Sequence, residues 1–76
     1  MKDFIEFIVK HLVENPDHVE VETIESEGRF QYKLRVGNGD LGRVIGKEGR
    51  TAKALRTIIM AASARKGQQS TLEILD

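Results

Sequence analysis

Between residues 41 and 55 the chain reads Leu41-Gly42-Arg43-Val44-Ile45-Gly46-Lys47-Glu48-Gly49-Arg50-Thr51-Ala52-Lys53-Ala54-Leu55, with two glycines bracketing two charged residues. Lacking a Cβ, Gly46 and Gly49 let a ligand come close to the backbone. The segment runs into a helix, whose first free amide protons and dipole favour an anion. Arg43, Lys47, Arg50 and Lys53 surround that spot. A phosphodiester suits such a place. Taken alone, the same glycines would serve equally well as an ordinary turn between two helices.

Other chemistry is harder to find. Gly37-Asn38-Gly39-Asp40-Leu41-Gly42 fits the G-x-G-x-x-G dinucleotide pattern. The residues that follow supply only one more strand, and no acid stands about 20 positions on to hold a ribose. A Walker loop fails at Leu41, where its first glycine belongs, and at Glu48, where Ser or Thr belongs. His11 and His18 are seven positions apart with Pro16 between them, which suits neither a helical metal pair nor a base with an orienting partner. Ser26, Ser63 and Ser70 sit in no nucleophile motif. With no cysteine, disulfides, thiolate zinc sites and thiol catalysis are excluded together. The residues therefore point away from an enzyme and imply no cofactor, metal or small-molecule substrate.

The 76 residues carry 12 basic and 12 acidic side chains, yet the charge is unevenly placed. Residues 1–28 hold Lys2 and Lys10 against eight acids, whereas residues 29–66 hold ten Lys or Arg against Asp40 and Glu48. The middle carries +8, and the flanks carry −6 and −2. Local potential rather than net charge attracts a polyanion, so the asymmetry marks a candidate nucleic-acid face. Asp3, Glu6 and Lys10 interrupt the apolar residues of the N-terminus, leaving no signal core and no span of about 20 apolar residues. The expectation is one domain over 1–76, in the cytoplasm and away from membranes.

The elements that must position the loop follow from periodicity. Asp3, with Glu6 three residues on, suggests a capped first helix, and Phe4, Ile5, Ile8, Val9 and Leu12 have helical spacing. Pro16 ends it near Glu14. Residues 18–27 and 29–36 alternate and read as strands joined by a Glu27-Gly28 turn. That turn places Val21 opposite Leu34, Glu20 opposite Arg35 and Glu22 opposite Lys33, so strand-two bases are expected to neutralise some first-half acids. Asp40 is expected to cap a short helix over Leu41–Ile45. A longer helix, 50–66, should bury Ala52, Leu55, Ile59 and Ala62, with Ile58 at the margin and Gly67 as its C-terminal stop. Residues 70–75 supply a last strand, parallel to the second because a helical crossover precedes it.

Motif, element order and length together resemble the K-homology (KH) family, whose (Val/Ile)-Ile-Gly-x-x-Gly is read here as Val44-Ile45-Gly46-Lys47-Glu48-Gly49. The order α-β-β-α-α-β is that of the type II form, and the length is similar to small single-domain bacterial KH proteins. The resemblance implies an α+β fold in which three helices cover one face of a three-stranded mixed sheet. It also implies a groove for about four unpaired RNA nucleotides. Position by position, Gly46, Lys47, Glu48 and Gly49 would clamp the RNA backbone. Val44, Ile45 and Leu55 would form the groove floor or simply the core beneath it, and Gly42, Arg43, Arg50 and Lys53 would line its sides. Glu48 leaves the clamp without net charge, and Phe4, Phe7, Phe30 and Tyr32 all lie outside the groove, so one copy should bind weakly and with little sequence preference.

Weak binding by one groove gives a motive for pairing, because two linked grooves gain avidity. Ala54, Thr57, Ala61 and Ala64 form a small-residue strip on the side of the long helix away from its core stripe, although alanine is also simply a good helix former. The resembled proteins imply self-pairing or pairing with a larger, Jag-type KH partner. Two functional classes follow: a post-transcriptional regulator or RNA chaperone that binds single-stranded RNA, and a protein-interaction module of KH fold with incidental RNA binding. Single-stranded DNA is a variant of the first.

Overall fold

The computed structural model describes residues 1–75. Helix α1 spans Lys2–Lys10, strands β1 and β2 span Glu20–Ser26 and Arg29–Arg35, and the short α2 spans Leu41–Ile45. Helix α3 spans Arg50–Arg65, and β3 spans Gln69–Leu75. Two 3-10 turns, Pro16–His18 and Lys47–Gly49, precede β1 and α3. The sheet order is β1-β2-β3, antiparallel between β1 and β2 and parallel between β2 and β3. This is the expected mixed three-stranded sheet, with the expected parallel last strand.

The hairpin register is the expected one: Glu20 faces Arg35, Val21 faces Leu34 and Glu22 faces Lys33. Glu27 and Gly28 both take positive φ (52° and 77°), as a two-residue turn matched to the right-handed strand twist requires. The expected neutralisation across the hairpin is absent: no Glu20–Arg35 or Glu22–Lys33 pair closes to 4.0 Å among the described residues. Both pairs lie on the sheet face away from the core, where water solvates each charge separately.

Ile5 and Val9 of α1, Val21, Tyr32, Leu34 and Leu72 of the sheet, and Val44, Leu55 and Ile59 of α2 and α3 form one buried cluster. Removing a side chain of this size from water is worth about 1.5–3 kcal/mol. The helical stripe of α3 is shifted from the expected one. Ser63 is wholly buried while Ala62 is half-buried, and Ile58 stays 44% exposed. The Ser63 hydroxyl tolerates burial because it donates to Ser70 Oγ at 2.6 Å.

Helix α1 departs from expectation at both ends. It begins at Lys2, so Asp3 sits inside the first turn and caps nothing with its side chain, though an acid there still suits the helix dipole. It stops at Lys10 rather than near Glu14. His11 Nδ1 lies 2.7 Å from the Phe7 carbonyl, so the ring N–H can take up an acceptor of the last turn. The amides of Glu14 and Asn15, which a longer helix would use internally, donate instead to Asp40. Among the described residues no helix is long and apolar enough to cross a membrane.

Candidate nucleic-acid interface

Val44 is wholly buried and fixes α2 to the core, leaving Gly42 and Arg43 exposed and Ile45 half-buried. Gly46 ends α2, its amide donating to the Gly42 carbonyl at 2.8 Å. Its backbone, φ 76° and ψ 175°, is in a region that essentially only glycine visits. A Cβ there would stand 2.7 Å from Thr51 Cβ and 2.9 Å from the Thr51 amide nitrogen. Gly46 is therefore required by the chain's own packing.

Gly49 is required for a different reason. Its φ of 74° and ψ of 13° are left-handed, yet a Cβ placed on it would meet nothing within 4 Å. The first glycine faces protein and the second faces open space. Between them Glu48 is also left-handed, at φ 57° and ψ 25°, a conformation costing a non-glycine residue about 1 kcal/mol. The turn closes when the Gly49 amide donates to the Gly46 carbonyl at 3.2 Å. No side chain caps the N-terminus of α3, so its positive dipole end adjoins the open backbone of Gly49.

The four expected cations divide into two pairs. Lys47 and Lys53 are exposed and form no ion pair among the described residues. Arg43 instead turns back to Glu14, to which its guanidinium donates, and its Nε lies 3.6 Å from Asp40. Arg50 lies 3.4 Å from Glu48. Farther along α3, Arg56 donates to the Leu72 carbonyl at 3.2 Å and is anchored on β3. The positive face therefore offers fewer free charges than the sequence alone suggests. Of the expected floor residues, Val44 and Leu55 are buried in the core and Ile45 is partly accessible.

Asp40 was expected as a helix cap, and its side chain does not act as one. It is 2% exposed, and its two oxygens each accept a backbone amide at 3.0 Å, Oδ1 from Glu14 and Oδ2 from Asn15. The Glu14 amide above all, helped by Asn15 and the Arg43 guanidinium, holds the Asp40 carboxyl below the usual aspartate range against the opposing effect of burial. With the folded value depressed, this anchor contributes stability above the ordinary aspartate pKa. That contribution is lost as pH falls through the folded value. Sequence reasoning missed the role because the partners lie 25 and 26 positions away.

A three-stranded mixed sheet, helices on one face and a glycine-bracketed loop between α2 and α3 define a type II KH domain. The chain belongs to the family described as KhpA/KhpB, KH domain, whose model matches residues 2–74. It is 47% identical to the RNA-binding protein KhpA of Aquifex aeolicus over 76 residues, covering 100% of this chain and 96% of that one. To its counterpart of the same name in Listeria monocytogenes it is 42% identical, with 100% of both chains covered. For Chlamydia trachomatis the identity is 41%, covering 100% and 97%. Among solved structures, Aquifex aeolicus Era crystallised with a GDP complex matches with a TM-score of 0.65 at 18% identity, over 96% of this chain and 28% of that one. At that identity the likeness bears on the fold alone.

Proposed function

We infer that this chain binds single-stranded RNA in the cytoplasm by holding its backbone on Gly46-Lys47-Glu48-Gly49, as a small post-transcriptional regulator or RNA chaperone. The observation that carries this reading is the asymmetry of the two glycines. Gly46 is locked against Thr51, while Gly49, itself half-buried, leaves open space where a side chain would stand, beside the uncapped start of α3. Lys47 and Lys53 supply the free positive charge, Gly42, Arg43 and Arg50 border the groove, and Ile45, with Val44 beneath, provides its apolar floor. Relatives named RNA-binding protein KhpA support the same reading.

Replacing Lys47 and Glu48 together by Asp tests the clamp. Both glycines remain, and acids near a helix N-terminus are tolerated, so the fold should survive. Affinity for a short single-stranded RNA should fall at least tenfold, or about 1.4 kcal/mol. Unchanged binding by the folded variant would remove the loop from the site.

A second reading, pairing with another copy or a related KH chain, has its own observation. Ala54, Thr57, Ala61 and Ala64 are all exposed on α3, in company with Ile58 and Met60 at 44% and 59%. A symmetric contact along this helix would cover them. The wild-type chain should sediment as a dimer and Ala61→Glu as a folded monomer; a wild type monomeric at high concentration refutes the pairing.

A further inference from the structure

Arg43 differs from Arg50 in where its partner comes from. Arg50 meets Glu48 two positions away, inside the loop. Arg43 meets Glu14, which lies 29 positions earlier in the connection that follows α1. That connection is held in place by Asp40, whose buried carboxylate binds the amides of Glu14 and Asn15 at 3.0 Å each. The same anchor that fixes the start of α2 thus delivers a carboxylate to a cation at the border of the groove. A carboxylate presents a guanidinium with the same charged oxygens as a phosphodiester.

We propose that Glu14 stands in for phosphate on Arg43 and competes with RNA for it, so that a residue outside the glycine loop sets the affinity of the groove. The inference rests on the RNA-binding reading above. Exposure makes the competition winnable. The Arg43 and Glu14 side chains are 50% and 67% exposed, so water and salt screen the pair, and a phosphate held by neighbouring contacts can displace the carboxylate. A buried pair would hold Arg43 permanently. Salt weakens the exposed Arg43–Glu14 pair as it weakens the contact of Arg43 with phosphate, so the two effects partly offset each other. The wild-type groove is therefore less salt-sensitive than its cations imply.

Glu14→Gln isolates the effect, since the variant keeps the Glu14 amide on Asp40 and nearly the same side-chain volume. Binding of a labelled oligouridine longer than the groove is followed by fluorescence anisotropy over a range of salt. The variant should bind about two- to fivefold tighter at low salt, the worth of one exposed ion pair. Its plot of log affinity against log salt should be steeper than that of the wild type, by no more than about 0.7, the worth of one phosphate contact on a single strand. In an Arg43→Gln background the substitution should gain nothing, as a double-mutant cycle requires. An equal gain without Arg43 would reduce the effect to a general change of charge, and no gain with Arg43 present would end the proposal directly. If binding depends on Lys47 and Glu48 but ignores Glu14, only this inference falls. If the wild type binds no RNA at any salt, the inference falls together with the reading beneath it.

Discussion

A helix begins with amide protons and ends with carbonyls that have no partner within it, and α3 treats its two ends in opposite ways. At the C-terminus Gly67, at φ 71°, turns the chain so that its own amide donates to the Ala64 carbonyl at 3.0 Å and that of Gln68 to the Ser63 carbonyl at 2.9 Å. This is the paired closure of a Schellman motif, and it satisfies the end internally. At the N-terminus Gly49, at φ 74°, takes nearly the same left-handed conformation, but no side chain caps the helix. A Cβ at either glycine would meet nothing within 4 Å. Backbone shape therefore does not separate a glycine that closes a helix end from one that leaves it open. The hydrogen bonds completed around it do.

The severest way to break this contrast is to replace Gly46, the glycine held by packing. Gly46→Ala places a methyl against Thr51 and forces a backbone region that alanine avoids. The combined strain and overpacking should cost about 3 kcal/mol or more, a large share of a small domain's stability. Thermal unfolding measures this directly; an unchanged melting temperature would mean that the Gly46–Thr51 contact relaxes freely.

A milder pair sharpens the contrast. Gly49→Ala and Gly67→Ala should each cost about 1 kcal/mol, because both put alanine at a left-handed position with free space around it. Their effects on RNA should diverge. The methyl at Gly49 stands where a phosphate would approach the backbone, so affinity should fall about tenfold, whereas Gly67→Ala should leave it unchanged. Equal losses of affinity would show that the variants act through stability alone.

Much of the frame was legible because it follows from local rules. The alternation from Arg29 to Val36, with a Glu-Gly turn before it, determined the hairpin register that places Glu20 opposite Arg35. The apolar spacing of α3 identified Ala52, Leu55 and Ile59 as core. What escaped depends on residues remote in sequence. Asp40 looked like a cap because it directly precedes a helix, but the amides of Glu14 and Asn15 claim its carboxylate. The same contacts end α1 early. Apolar spacing points to Ala62 rather than Ser63, whose burial depends on the remote hydroxyl of Ser70. Around the loop, the type and spacing of Gly46 and Gly49 were visible in the sequence. The partners of Arg43 and Arg50, and the left-handed turn at Glu48, required the fold.

The parallel pairing of β2 with β3 also bears on the order in which the chain assembles. Within the β1–β2 hairpin, Ser26 pairs with Arg29 and the contacts spread outward from the turn, a closure that takes about 1–10 μs in isolated hairpins. Arg29 pairs with Gln69, forty positions on, and Arg35 with Leu75. Chain entropy must be lost over that whole interval before any bond forms, so non-local pairing of this kind is slow. The interval contains α2, the glycine loop and α3. As the chain emerges from the ribosome, the hairpin can form early, while the strand that pins Arg56 and buries Leu72 against the core arrives last. The core behind the glycine loop is thus complete only in a chain whose β3 has joined the sheet.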